Sequence, residues 1–358
     1  MVAPEAATPE TCELDVTFRS VVAWEPDEHL VEAFASSWPA YRGWFLRDGE
    51  ERRSSYAECA RALEQHMPEL IGTYERLVEL HGGGDVEARF LSLWNPPPLF
   101  AGCSVAAWTG ADGPALVRNY DFVPMMCDTT LLASAWNGTR VLAMSDCLWG
   151  VLDGVNEHGL AVALAFGGRE ITGPGFAVTL VLRYVLELCR DTDEAIAAIS
   201  RIPVNMAYNV GVVDASGSAA MVQLSPDREA RITGTLSCGN RQVADEWREY
   251  EEFSGTVERE ALLAGALADP ATTRAALEAL FLTEPVYRPP AAHPWGTVYS
   301  ASYDCGAPAV RLSWPDASWS VPLAAPREEQ VARTVRAQIP PSPPVEWRVP
   351  VAAPVIVA

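Results

Sequence analysis

Phe100-Ala101-Gly102-Cys103-Ser104, followed by Val117-Arg118-Asn119-Tyr120-Asp121-Phe122, is the stretch on which the reading of this chain turns. Gly102 has no side chain, so a nucleophile can approach its carbonyl. Cys103 offers the best biological nucleophile at neutral pH. Taken alone, a Gly-Cys step in a loop ahead of a strand is more often a turn glycine beside a buried thiol. The second segment adds information. A strand alternates faces, so Asn119 and Asp121 share one face while Arg118 and Tyr120 share the other. Charges inside an apolar strand are costly unless paired or functional.

The texture of the chain changes at this stretch. The first hundred residues read as helical, most clearly from Ser54 to Leu80. There Ser55 and Glu58 have capping-box spacing, apolar residues recur at helical intervals, and Pro68 kinks or splits the run. After Asn95-Pro96-Pro97-Pro98 come short β-rich runs near 115–123, 139–145, 159–166, 207–214, 217–224, 230–237, 296–303 and 308–313. Tight turns such as Asn156-Glu157-His158-Gly159 join several of them, which implies antiparallel pairing. Helices are expected at 175–190, 192–201 and 256–268. Strand runs broken by a helical pair make an α+β layered architecture. The organisation expected is a helical segment 1–102, a catalytic domain 103–338 and a proline-rich extended tail 339–358.

The 358 residues are 49% hydrophobic and 20% charged, with 12 Trp, 10 Tyr and 10 Phe, enough for a sizeable core. Acidic residues outnumber basic ones by 47 to 26, a net charge of −21. That balance repels phosphate backbones and anionic lipid, so neither nucleic acid nor a membrane is an expected partner. No export signal or membrane span is visible, and a cytoplasmic location is the default. The eight cysteines include no Cys-x-x-Cys pair, and the five histidines lack metal-ligand spacing, so no metal or cofactor is expected. Phe166-Gly167-Gly168-Arg169 and Gly173-Pro174-Gly175-Phe176 are glycine turns without dinucleotide or P-loop spacing. Asp146 and Asp153 read as turn residues.

Gly-Cys-Ser with Arg-Asn-Tyr-Asp-Phe at this distance resembles the acyl-coenzyme A:6-aminopenicillanic acid acyltransferase family, self-processing C45-type members of the N-terminal nucleophile (Ntn) hydrolases. Later segments agree with it: Asn156-Glu157-His158-Gly159-Leu160, Ala207-Tyr208-Asn209-Val210, Gly239-Asn240-Arg241-Gln242, Thr256-Val257-Glu258-Arg259, and Thr297-Val298-Tyr299 through Tyr303-Asp304. The resemblance implies a four-layer αββα sandwich of antiparallel sheets, made as a precursor. Cys103 would attack the Gly102 carbonyl, and hydrolysis of the resulting thioester would leave Cys103 with a free α-amine. Such an amine titrates near about 7.7–8.0, and it supplies a general base without a histidine.

By the same carry-over Asp121 holds the α-amine, Arg118 favours the thiolate, Asn240 donates to the oxyanion and Arg259 supports the site. Asn209 is either a second oxyanion donor or a strand-face amide, and Tyr120 and Phe122 are candidate pocket walls. Trp108, Trp136, Trp149 and Phe166 are further aromatic candidates for wall or core. The expected partners are a small amide or thioester substrate and the chain's own 1–102 fragment, with an oligomer left open. One departure stands out. Where the family usually has Thr-Asn-His, this chain has Gly239-Asn240-Arg241. A second reading therefore stays open, an uncleaved and catalytically silent homologue that serves as a binding or assembly protein.

Overall fold

The computed structural model describes residues 11–338 except 36, 125, 126, 245 and 294, and leaves out the side chains of 29 and 32–34. The expected tail at 339–358 lies outside the described residues. A first strand β1 (Thr11–Val22) precedes five helices, α1 (Glu28–Ala35), α2 (Trp38–Phe45), α3 (Tyr56–His66), α4 (Ile71–Leu80) and α5 (Asp85–Leu91). Six strands follow: β2 (Gly102–Trp108), β3 (Ala115–Phe122), β4 (Thr130–Ser134), β5 (Val141–Asp146), β6 (Gly150–Asn156) and β7 (Ala161–Phe166). Next come α6 (Val178–Leu188), α7 (Thr192–Arg201), β8 (Tyr208–Val213), β9 (Ala219–Ser225), β10 (Arg228–Ile232) and β11 (Ser237–Cys238). The described residues close with α8 (Arg248–Ser254), α9 (Thr256–Ala268), α10 (Arg274–Leu280), β12 (Gly296–Asp304), β13 (Ala309–Trp314), β14 (Ala317–Pro322) and β15 (Glu329–Gln338).

Local chemistry explains several of these boundaries. The Ser55 hydroxyl accepts from the Glu58 amide while the Glu58 carboxylate accepts from the Ser55 amide at 2.8 Å, which starts α3. Pro68 cannot donate the amide that a continuing helix needs, so a 3-10 turn at Pro68–Leu70 separates α3 from α4. Asp191 caps α7 by accepting from the Glu194 amide at 2.9 Å.

The strands form two sheets, one ordered β10-β9-β8-β7-β6-β5-β4-β1-β15 and one ordered β11-β2-β3-β12-β13-β14. Among the described residues every pairing between these strands is antiparallel except β1 with β4. The sheets face each other through β2, β3, β12 and β13 on one side and β6, β7 and β8 on the other. The apolar core between them includes Val105, Leu116, Val155 and Val210. α6 and α7 cover the outside of the nine-stranded sheet. α9 and α10 cover the six-stranded sheet, where Leu263, Leu277 and Phe281 pack on Ala106, Trp108 and Val117. The fold is α+β in four layers, helix, sheet, sheet, helix.

Three expectations change. Residues 11–22 are not helical: Leu14, Val16 and Phe18 alternate with polar residues, a period of two, and β1 lies between β4 and β15 in the larger sheet. The run near 230–237 is two strands in different sheets. Gly102 and Cys103 are the first residues of β2 rather than part of a loop. Among the described residues no helix is long and apolar enough to cross a membrane.

Candidate active site

Pairing of β2 with β3 sets the site. Cys103 lies opposite Tyr120 and Val105 opposite Arg118, while Gly102 lies opposite Asp121 and Ser104 opposite Asn119. Directly opposed residues share a face. Cys103, Arg118 and Tyr120 therefore point between the sheets, and Asp121 and Asn119 point toward the outer helices. This is the alternation read from the sequence. The Asn119 amide is structural and donates to the carbonyls of Phe281 and Val286 at 2.8 and 3.1 Å.

On the inner face the Arg118 guanidinium donates from Nη2 to Cys103 Sγ at 3.1 Å and from Nη1 to Asp153. Asp153 is saturated: Tyr299 donates to its Oδ2 at 2.7 Å and Tyr303 to its Oδ1 at 2.6 Å. Arg118 and Asp153 are both fully buried, one on each sheet, and the Arg118 guanidinium lies 4.7 Å from the Tyr120 ring centroid. Burial raises the Cys103 thiol above its ordinary value, and Arg118 offsets only part of that. Asp153 and Asp146 are buried strand residues, not turn residues as expected. The sequence reading took Asp153 for a turn residue although it sits as a charge in the apolar run Gly150-Val151-Leu152-Asp153-Gly154-Val155. Tyr299 and Tyr303, four apart on one strand, share a face for the same reason of period two.

On the outer face Arg259, from α9, gathers the backbone. It donates to the Cys103 carbonyl at 3.0 Å, Ser104 Oγ at 2.8 Å, Asp121 Oδ2 at 3.0 Å and Asn240 Oδ1 at 2.9 Å. Thr297 donates to the other Asp121 oxygen at 2.8 Å. The Cys103 amide nitrogen donates to Asn240 Oδ1 at 2.9 Å, and Asn240 Nδ2 donates to the Phe166 carbonyl at 3.0 Å. Two donors on one end and a carbonyl on the other fix the orientation of that amide. The Asp121 carboxylate is thus linked to the Cys103 backbone through Arg259, and Asn240 is the group on the nitrogen.

Neighbouring loops hold Asn240. Asn209 Nδ2 donates to the carbonyls of Gly239 and Arg241, at 2.9 and 3.1 Å, so it braces the loop from both sides of Asn240. Gly168 has φ +64°, and a Cβ there would stand 2.0 Å from the Asn240 carbonyl oxygen. The glycine turn at 167–168 lets backbone approach backbone. A Cβ at Gly239 would meet Thr256 Oγ1 at 2.4 Å, and that hydroxyl accepts from the Asn240 amide nitrogen at 2.7 Å. A hydroxyl from α9 therefore occupies the space that a residue-239 side chain would need. Arg241 turns to Glu260, at 2.7 Å. Thr256 stood in the quoted Thr256-Val257-Glu258-Arg259 segment without a role of its own, and Glu260 carried no sequence signal.

Of the aromatic candidates, Tyr120 stacks on Phe122 with centroids 5.6 Å apart beside Cys103. Phe166 joins Phe100, Trp247 and Tyr250 around the residues that precede Gly102. Trp136 lies under Arg183, and Trp149 and Trp108 are core. The Trp38 to Trp44 stretch gathers mainly on Phe90 within its own segment, while Tyr41 crosses to Asp146 and the Cys147 amide.

Cys103, Arg118, Asp121, Asn240 and Arg259, the residues singled out by the resemblance, lie together in the fold, with Arg118 on the sulfur and Asn240 and Arg259 on the Cys103 backbone. Residues 108–275 match the family model described as acyl-coenzyme A:6-aminopenicillanic acid acyl-transferase. The match spans β3, Asn240 and Arg259 but begins after Cys103. No curated protein matches the chain. Similar solved structures include penicillin V acylase from Agrobacterium tumefaciens, 15% identical, TM-score 0.44, covering 62% of this chain and 86% of that one. A variant of conjugated bile acid hydrolase from Clostridium perfringens is 12% identical, TM-score 0.42, covering 67% and 100%. The Caenorhabditis elegans ortholog of N-acylethanolamine-hydrolyzing acid amidase is 17% identical, TM-score 0.42, covering 62% and 100%.

Proposed function

We propose that the chain is a precursor that cuts itself between Gly102 and Cys103 and then works as an Ntn amidohydrolase or acyltransferase through a thioester on Cys103. The observation that carries this reading is the grip on Cys103 alone: sulfur on Arg118, nitrogen on Asn240 and carbonyl on Arg259. Nucleophile and leaving nitrogen belong to one residue whose every polar atom is held. Sγ adds to the Gly102 carbonyl carbon, the C–N bond breaks, and the thiol proton ends on the nitrogen. Water then adds to the thioester, releases the Gly102 carboxylate and restores the thiol.

The freed amine, titrating near about 7.7–8.0 in an ordinary setting, takes the thiol proton in later turnovers. A substrate acyl group passes to Sγ, its amine leaves with that proton, and water or a second amine accepts the acyl group. Asn240 holds the nitrogen through Oδ1. Service as oxyanion donor would require Nδ2 to exchange the Phe166 carbonyl for the developing charge, a gain typically of about 3–4 kcal/mol. Fragment 1–102 would stay in the mature enzyme, because β1 is hydrogen-bonded between β4 and β15.

Intact mass under denaturing conditions tests the proposal. The 102/358 share of 38.8 kDa predicts fragments of roughly 11 and 28 kDa that co-elute natively, with Cys103→Ala remaining whole. A wild-type chain that stays whole would overturn the proposal and favour the silent homologue, for which Gly239-Asn240-Arg241 is the sequence support.

A further inference from the structure

The residues just before the scissile bond are seated, not merely passing. The Phe100 ring lies 5.1 Å from Phe166 and 5.7 Å from Trp247, centroid to centroid, with Tyr250 5.2 Å from Phe166 and 4.8 Å from Trp247. The Tyr250 hydroxyl, on a side chain almost wholly buried, donates to the Ala101 carbonyl at 3.0 Å. Phe166 and Trp247 thus flank Phe100, Tyr250 packs against both of them, and its buried hydroxyl holds the next carbonyl.

This seat matters because self-cleavage and turnover share their acceptor. If the reading in the preceding subsection holds, on which this inference rests, the first thioester has the acyl group of Ala101-Gly102 on Cys103 Sγ. Every later thioester places a substrate acyl group on the same sulfur, inside the same walls. The acyl chain must leave the sulfur along the same path, which runs from the Gly102 carbonyl carbon through its Cα and nitrogen to the Ala101 carbonyl and on to the Phe100 ring. We propose that the space filled by residues 100–102 is the acyl subsite of the mature enzyme. Its ligand class is an amide whose acyl part carries an acceptor carbonyl three bonds beyond the scissile carbon and a bulky aromatic group beyond that. Such a group is an N-acylated glycyl unit rather than a plain alkanoyl chain.

Two consequences follow from the chemistry. The cut end of fragment 1–102 must withdraw before substrate enters, which leaves the Tyr250 hydroxyl as a buried donor without its acceptor. A substrate that supplies that acceptor is favoured over one that does not, because an unmet buried donor is the costlier state. The Phe166–Trp247–Tyr250 cluster rewards an aromatic occupant by removing its surface from water.

The test uses the self-cleaved protein and three p-nitroanilides: acetyl-Phe-Ala-Gly, acetyl-Ala-Ala-Gly and butyryl. The expected order of kcat/KM is the order given, with at least about a tenfold step for the phenyl ring. Acetyl-Phe-Ala-Gly carboxylate, the product of the first compound, should inhibit competitively. In Tyr250→Phe the loss on acetyl-Phe-Ala-Gly anilide should exceed the loss on butyryl anilide by about fivefold, the size of one neutral hydrogen bond. Butyryl anilide turned over as well as the others, with no competition by the carboxylate, would overturn the subsite and leave the proposed function standing. A chain that is not cut, or that never carries an acyl group on Cys103 by mass, would overturn both. The substrate series on wild-type protein decides the matter even if the Tyr250 variant fails to fold.

Discussion

Arg118 and Asp153 are an ion pair with no access to water, and that fact yields a quantitative expectation for Asp153→Asn. Removing one partner of a buried pair typically costs about 3–5 kcal/mol, since it leaves the other charge uncompensated. Here the abandoned cation has a second neighbour, the Cys103 sulfur 3.1 Å from Nη2. A thiolate at that sulfur would restore neutrality. The energy so recovered appears as a fall in the thiol's titration point, at about 1.4 kcal/mol per unit. Recovering even half of the penalty moves it down by roughly one to two units. The thiol begins above its ordinary value through burial, so the shift carries it toward the physiological range.

The assay is thiolate absorbance against pH, differenced between Cys103-containing and Cys103→Ala proteins, in the wild-type and the Asp153→Asn backgrounds, every sample being whole chain isolated before any cut at Gly102-Cys103 and checked by mass. Chemical denaturation of the same four proteins closes a double-mutant cycle. The stability cost of Asp153→Asn should be larger in the Cys103→Ala background, where no sulfur remains to take up the charge. A thiol titration that does not move, together with equal stability costs in both backgrounds, would refute the reasoning. Asp153 would then be a simple strut between the sheets.

Other expectations come from the same geometry. Gly168→Ala places a Cβ 2.0 Å from the Asn240 carbonyl oxygen at a φ of +64°, so self-cleavage should slow by at least about tenfold while far-ultraviolet dichroism stays native. Cleavage at the wild-type rate would show that Asn240 does not need its present position. Arg259→Ala removes a donor from four acceptors, Asp121 among them, and should cost about 3–5 kcal/mol in denaturant; a cost under about 1 kcal/mol would contradict the burial argument. Burial and the neighbouring Asp146 push the Asp128 carboxyl up to about 7. A carboxyl raised in this way favours the fold while protonated, so its contribution is present below about pH 4 and is lost as pH rises through about 7. Asp128→Asn should flatten that decline between pH 4 and 8, and an unchanged slope in the stability–pH curve would count against it.

Local signals in the sequence carried a good share of the architecture. The Ser55–Glu58 box, Pro68 and the extent of α9 were legible because each is decided within a few residues. So was the alternation that sets Arg118 and Tyr120 against Asn119 and Asp121. β1 was missed although Leu14, Val16 and Phe18 alternate plainly, because its partners β4 and β15 lie more than a hundred residues away and the helices beside it dominate the texture. β11, two residues long, has no signal of its own and exists only because β2 offers it an edge.

The chain by itself determined which groups are available: a thiol after a glycine, two arginines, an asparagine and an aspartate, and a fold class of short antiparallel strands with inserted helices. Their roles depended on distance, which a linear sequence does not contain. Only the folded chain brings Asp153 from the other sheet to Arg118, sets Asn240 rather than Asp121 on the Cys103 nitrogen, and moves Thr256 into the space beside Gly239. The physical reason is that a buried charge or donor takes whatever partner the packing delivers, and packing joins segments far apart in the chain.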